Sequence, residues 1–350
     1  MNLFRLYFFL ISSVFIFFTC QSPSQTKISV SSKASALLKD GPITGFTLGL
    51  HSKDFEYDYG PMLKEIKATG APWVCLTVKF FQNTNNESFV NIPPIDSPFW
   101  SQLERTTIQS KALGLKVLIF PIVLLKHRNK REWRGTLRPM DYDAWYESYE
   151  SMMTKVAQLS SRTNADMLSV GSEYFSLDRS KLRWLHVIET VKKSYDGALT
   201  YSANWDAVDN IQFHDQLDFL GMTGYFNLTK KKNPTVKELI KAWKPIKKTF
   251  KKQQNHKNIP FIFTEVGYTS QDGNNMTPWD YTIPNVLDLQ EQKDCYSAFK
   301  KVWNQDESLH GVFFYDWFGI GGKDDFGYTP KGKPALEVAK KWFQSSSKEK

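Results

Sequence analysis

The chain has 350 residues, 41% hydrophobic and 15% aromatic, enough apolar side chain to bury a large core, which excludes a disordered or fibrous protein. Its formal net charge of +9 is spread over lysines such as Lys230-Lys231-Lys232 and Lys247-Lys248. These read as a solvated basic surface on helices and loops, with no nucleic-acid module.

The N-terminus reads as a targeting segment. Arg5 supplies a positive start, residues 6–18 form an apolar run too short to span a bilayer, and Thr19-Cys20 follows. The pattern predicts a signal peptide over 1–19, acylation of Cys20 as a membrane anchor, a polar tether over 20–40 and a catalytic barrel over 41–350; plain secretion or an uncleaved anchor is the alternative. Cys75 falls in an apolar strand and Cys295 at a helix start. Two such residues make no disulfide framework, so both are expected to be unpaired thiols.

From residue 45 onward, short apolar runs alternate with amphipathic stretches, the pattern of βαβ units around a parallel sheet. The runs cover 45–50, 73–78, 116–123, 166–171, 198–203, 219–225, 260–264 and 312–315. Between the third and fourth, Trp145, Tyr149, Met152, Val156 and Leu159 recur at helical spacing. Further helices are expected over 61–69, 99–113, 181–195, 236–250, 289–303 and 334–343, with Gly70 and Gly114 as stops. Residues 206–216 are too few for a full helix. The pattern predicts a single (β/α)8 barrel; an open doubly wound sheet would need a Gly-rich phosphate loop, which Leu48-Gly-Leu-His-Ser52 is not.

The histidines, at 51, 127, 186, 214, 256 and 310, have neither H-x-H nor H-E-x-x-H spacing, and no G-x-S-x-G elbow occurs. Metal or serine hydrolysis is therefore not expected, nor is any cofactor. Carboxylates remain: Glu173 ends the fourth run and Glu265 the seventh, both at the mouth of a closed barrel. One glutamate so placed reads better as a strand-end ion pair or helix cap. Two in register suit glycosidic cleavage, where one carboxyl protonates the leaving oxygen and the other attacks the anomeric carbon.

Several segments carry a resemblance to a known family. Trp133-Arg-Gly-Thr-Leu-Arg-Pro, Asp143-Ala-Trp-Tyr-Glu-Ser-Tyr149 and Ala165-Asp-Met-Leu-Ser-Val-Gly-Ser-Glu173 are followed by Phe219-Leu-Gly-Met-Thr-Gly-Tyr225, Phe261-Ile-Phe-Thr-Glu-Val-Gly-Tyr-Thr-Ser270 and Tyr328-Thr-Pro-Lys-Gly-Lys-Pro-Ala335. Together, over about residues 45–343, they resemble glycoside hydrolase family 113, retaining β-1,4-mannanases on TIM barrels. The resemblance implies Glu173 as general acid/base, Glu265 as nucleophile and Tyr225 as hydrogen-bond donor to Glu265. Two positions depart from the family pattern. Ser172 stands where many relatives have the Asn that holds the sugar 2-hydroxyl, and Phe120-Pro-Ile122 replaces Lys-Pro-His, so those sugar contacts are not carried over.

Sugar rings stack on aromatic faces, which makes Trp133, Trp205 and Trp317, beside Arg134, Asn204 and Asp316, candidates for substrate contact, with Lys79 at the end of the second run. The expected protein is a monomeric, exported glycosidase acting on a mannan-like β-1,4-linked polysaccharide or oligosaccharide. Alternatives are a carbohydrate-binding surface lipoprotein without turnover, or a glycosidase for a β-glucan or amino-sugar polymer.

Overall fold

The computed structural model describes residues 28–282 and 286–346; the expected signal and Cys20 lie outside the described residues. Eight strands, β1 (Ile43–Gly49), β2 (Trp73–Gln82), β3 (Lys116–Leu125), β4 (Met167–Ser172), β5 (Ala198–Ala203), β6 (Phe219–Thr223), β7 (Phe261–Val266) and β8 (Gly311–Phe314), pair in sequence order and close into a barrel. All neighbours are parallel, β8 returning to β1 through Ile43 opposite Gly311. Around them lie α2 (Gly60–Ala68), α3 (Pro98–Ala112), α4 (Tyr142–Arg162), α5 (Lys181–Lys192), α6 (Val236–Lys257), α7 (Leu289–Trp303) and α8 (Pro334–Ser346), while α1 (Ser32–Leu38) precedes the barrel. The short unit between β5 and β6 holds only two 3-10 turns, Val208–Asn210 and His214–Gln216.

Local chemistry accounts for the helix limits. In α4 the Asp141 side chain accepts the N–H groups of Asp143 and Ala144, and Arg162 sits in the last turn where the helix dipole favours a cation. Thr235 and Glu238 form a reciprocal cap on α6. Gly70 and Gly114 follow α2 and α3 at φ +87° and +69°, a conformation that stops a helix and that side chains resist. The predicted stripe on α4, Trp145 to Leu159, is fully buried against the barrel.

Residues of alternating parity point inward and form a separate inner cluster of Ile43, Trp73, Cys75, Leu118, Phe120, Ile122, Met167, Ala198, Phe219, Ile262 and Phe313. This cluster fills the lower barrel. Higher up the interior becomes polar, with Ser202 Oγ and Thr264 Oγ1 2.5 Å apart.

Part of the stretch expected as a tether is structured. Ser31 caps α1 by accepting from Ala34 N–H at 3.1 Å, and Ala34, fully buried with Leu37 and Leu38 beside it, packs on the inner cluster. Ser31, Lys33 and Asp40 reach Asp218, Asp196 and Lys116 respectively, near the starts of β6, β5 and β3. Helix α1 therefore closes the N-terminal end of the barrel. Two smaller corrections concern charge and sulfur. Lys247, read as solvated, is drawn against Asp306 and donates to Val302 O at 2.6 Å. Cys295 lies in the middle of α7, not at its start, and both it and Cys75 are buried free thiols.

Candidate active site

Glu173 is the first residue after β4, at φ +56°, in the left-handed region where a non-glycine side chain is strained. Its N–H donates to Ser202 O on β5 at 2.8 Å. The carboxylate is 8% exposed, with Thr223 Oγ1 donating to Oε1 at 3.1 Å and the Arg134 guanidinium paired with Oε2. Arg134 belongs to the 3-10 turn Arg134–Thr136 in the loop after β3. A side chain at Gly135 would meet the Trp133 indole at 2.3 Å, so only glycine lets the ring fold back there. Gly135 O accepts from Ser176 N–H at 3.1 Å, which bolts this loop to the turn after β4.

Glu265 lies within β7, opposite Thr223 of β6 at a register shift, and is 7% exposed. The strand therefore runs past the predicted end at 264. The Tyr225 hydroxyl, beyond the end of β6, donates to Glu265 Oε2 at 3.0 Å. Thr223 thus faces one glutamate through its hydroxyl and the other through the strand ladder, which ties both carboxyls to the same mouth. Burial first, and then the Glu173 charge, push Glu265 up to about 7, against the lowering effects of Arg134 and the Tyr225 hydrogen bond. Glu265 therefore keeps its proton to near neutrality.

The remaining candidates divide. Asn204 and Trp205 follow β5, half-buried, with Trp205 N–H on Thr223 Oγ1 at 3.2 Å and its ring 5.2 Å from Phe226. Trp133 is half-buried over Gly135. Lys79 shares the inward parity of Trp73 and Cys75 on β2; burial lowers its pKa and Asp316 opposes that. His51 beyond β1 is pushed down to about 4 by burial and by Lys79, so it is neutral at ordinary pH. Burial pushes Asp316 up to about 7.

Trp317 does not belong to this group. It is 3% exposed, its ring centroid is 4.8 Å from that of Phe46, and Nε1 donates to Glu65 on α2 at 3.1 Å, so it packs between barrel and helices rather than offering a face to the mouth. The aromatics that do surround Glu265 are Tyr225, Tyr315 and Tyr328, with centroids 5.3 to 6.4 Å apart. Tyr315 follows β8 and Tyr328 opens the tail block quoted above, but neither was singled out there. Thr223 was also missed, although strand alternation puts it on the same face as Tyr225.

Among the described residues, one group has ligand atoms close enough for a metal ion: Asp272, Asp288 and Glu291, within 4.8 Å of one another. Glu291 already accepts from Gly273 N–H and Asn275 N–H at 2.8 and 3.0 Å, and Asp272 faces Lys232 at 3.3 Å. These contacts brace the loop after β7.

Similarity to known proteins agrees with this geometry. The chain has no match among curated proteins. Among solved structures it is similar to a GH113 β-1,4-mannanase at 25% identity, covering 87% of this chain and 99% of that one with a TM-score of 0.77. The GH113 β-mannanase AaManA from Alicyclobacillus acidocaldarius aligns at 24% identity, 87% and 98% coverage and TM-score 0.77. A β-glucuronidase from Ruminococcus gnavus, at 13% identity, 86% and 50% coverage and TM-score 0.57, shares the barrel fold alone. The model of Glycoside Hydrolase Family 113 matches residues 49–320, most of the chain and every strand end that carries the site, and the protein belongs to that family of glycoside hydrolases.

Proposed function

We propose that the protein hydrolyses β-1,4-linked, mannan-like polysaccharide with retention, using Glu173 as general acid/base and Glu265 as nucleophile. The observation that carries this reading is the pair of buried carboxyls at the ends of β4 and β7, Glu173 held by Thr223 and Arg134 and Glu265 opposite Thr223 in the strand ladder, in a family 113 chain. The β-1,4-mannanase relatives support the substrate class.

The geometry supports distinct tasks for the two groups. Tyr225 holds Oε2 of Glu265, which orients the carboxylate and leaves Oε1 to attack the anomeric carbon. Thr223 and Arg134 hold Glu173 for protonation of the leaving oxygen and, in the second step, for taking a proton from water. In the free protein burial favours protonated Glu265. Attack needs this carboxyl ionised and the leaving oxygen needs a proton, so a proton shift from Glu265 to Glu173 readies the site. Trp133, Asn204, Trp205 and Lys79 are the proposed glycan contacts.

Glu173→Ala should lose on the order of 10²-fold or more in turnover of β-1,4-mannohexaose, the usual share of general acid–base catalysis. Glu265→Ala should be inactive, and azide should restore turnover of an activated aryl β-mannobioside with an α-azide product; with Glu173→Ala the azide product should be β. Full activity of both variants would sink the assignment. Binding without release of reducing ends would favour a carbohydrate-binding protein, and cleavage of β-glucan alone would move the substrate class.

We further propose export and acylation at Cys20 as the membrane anchor, on the strength of the apolar run over residues 6–18. Lipid labelling that survives Cys20→Ala would overturn it.

A further inference from the structure

Two consecutive residues of β5 hold the backbone on both sides of the strained glutamate. Ser202 O accepts the N–H of Glu173 at 2.8 Å, and the hydroxyl of Tyr201 accepts the next N–H, that of Tyr174, at 3.2 Å. That hydroxyl in turn donates to Asp178 Oδ1. Asp178 closes the circuit, because its own N–H returns to Tyr174 O at 2.9 Å. Tyr174 is fixed at its other end by its hydroxyl, which accepts Val123 N–H of β3 at 3.2 Å.

Asp178 is fully buried, and its Oδ2 has no hydrogen-bond partner. A buried carboxyl with half its capacity unmet costs free energy and needs a reason. Burial pushes it up to about 7, with the nearby Glu173 charge adding to the rise and the Tyr201 hydrogen bond opposing it. Simple packing offers no such reason, since Tyr201 is already enclosed by Trp184 and Phe213 with centroids at 5.2 Å. What the carboxyl does is orient the Tyr201 hydroxyl. By taking the hydroxyl proton it turns an oxygen lone pair toward Tyr174 N–H.

A left-handed φ at a glutamate costs on the order of 1–3 kcal/mol and persists only where neighbours over-determine it. We propose that Asp178 and Tyr201 are positioning residues that hold Glu173 in its strained conformation and so aim its carboxyl at the leaving-group oxygen. This rests on the reading of Glu173 as acid/base. Neither residue touches the reacting atoms; both act through the backbone of Tyr174.

The test exploits leaving-group chemistry. A 2,4-dinitrophenyl leaving group departs without protonation, whereas a sugar hydroxyl does not. Tyr201→Phe and Asp178→Leu should therefore lose about tenfold or more in kcat/KM on β-1,4-mannohexaose, because a small misplacement of a catalytic group has an effect of this order. On 2,4-dinitrophenyl β-mannobioside they should stay within about threefold of the parent, with KM for the hexaose nearly unchanged. Asp178→Glu keeps the carboxylate but overfills the site, and should not rescue. Equal losses on both substrates would mean general damage and overturn the inference, as would unchanged hexaose activity in folded Tyr201→Phe. Glu173→Ala, run alongside, separates the two ideas: if it shows no leaving-group dependence, the acid/base reading fails and the positioning role fails with it. If Glu173→Ala shows the dependence and Tyr201→Phe does not, only the positioning role falls.

Discussion

Glu265 holds its proton to higher pH than an exposed carboxyl because burial strips water from its charged form, with the Glu173 charge and then Asp316 adding repulsion. The consequence for rate follows from proton count. Turnover needs a proton within the site and Glu265 releases its proton as pH rises through about 7, so kcat/KM should fall there. Arg134 opposes that rise, since its guanidinium lowers Glu265 and pairs with Glu173. Arg134→Met should move the alkaline limb of the pH–rate profile upward by about one unit or less, as expected for loss of one partly screened charge. A limb that stays fixed, or moves down, would exclude Arg134 as the charge that sets it. The site is thus balanced by a cation that the loop after β3 delivers, and Gly135 is what lets that loop fold under the Trp133 indole.

Among the elements, α1 most clearly departs from what its sequence suggests. Its residues Ser32–Leu38 are largely polar or small, and nothing in their local pattern marks them as the floor of a barrel. Ala34 alone is fully buried there, against the inner cluster that includes Ile43 and Trp73. Ala34→Asp should therefore bury an unpaired carboxylate and destabilise the fold by about 3 kcal/mol or more, whereas Ala36→Asp on the exposed face should change it by about 0.5 kcal/mol or less. Chemical denaturation of both variants checks this; equal small effects would mean that α1 does not seal the barrel. The barrel strands themselves were legible because a parallel sheet covered on both faces reads as continuous apolar runs, and the α4 stripe because helical spacing repeats over five positions. Trp317 was not legible, since it lies beyond the end of β8, where alternation stops and contact with Phe46 and Glu65, far away in sequence, decides its direction. The Arg134–Glu173 pair and the Asp178–Tyr201 bond were hidden for the same reason: the first joins two loops and the second joins a loop to β5, meetings that are a property of the closed ring.

For the molecule as a whole, the buried acids set how stability depends on pH. Glu265, Asp178 and Asp316 are each pushed up to about 7, mainly by burial. Between an unfolded value near 4 and this folded value, the native chain keeps protons that the unfolded chain releases, so stability is full below the unfolded pKa and is lost as pH rises through the window to about 7. The loss is on the order of 4 kcal/mol for each such buried group, at about 1.4 kcal/mol per pKa unit. Asp306 works the other way. Although burial opposes it, the hydrogen bonds from Lys247, Ser308 and Lys251 hold its carboxyl at about 2, and that contribution disappears only as pH falls from the unfolded value toward 2. His51, held at about 4, loses stability as pH falls below the unfolded histidine value, but three raised acids outweigh one lowered histidine, so the fold should be most stable on the acid side of neutrality, below the window of the buried acids. Scanning calorimetry should give a higher Tm at pH 5 than at pH 8. Glu265→Gln removes one charge that cannot be solvated while retaining an acceptor for the Tyr225 hydroxyl, so it should raise Tm at pH 8, leave it nearly unchanged at pH 5 and abolish hydrolysis. A flat Tm between the two pH values, or an equal shift at both, would show that Glu265 ionises as an ordinary carboxyl in the folded chain. The expected result would instead mark the nucleophile as a place where activity is kept at the expense of stability above neutrality.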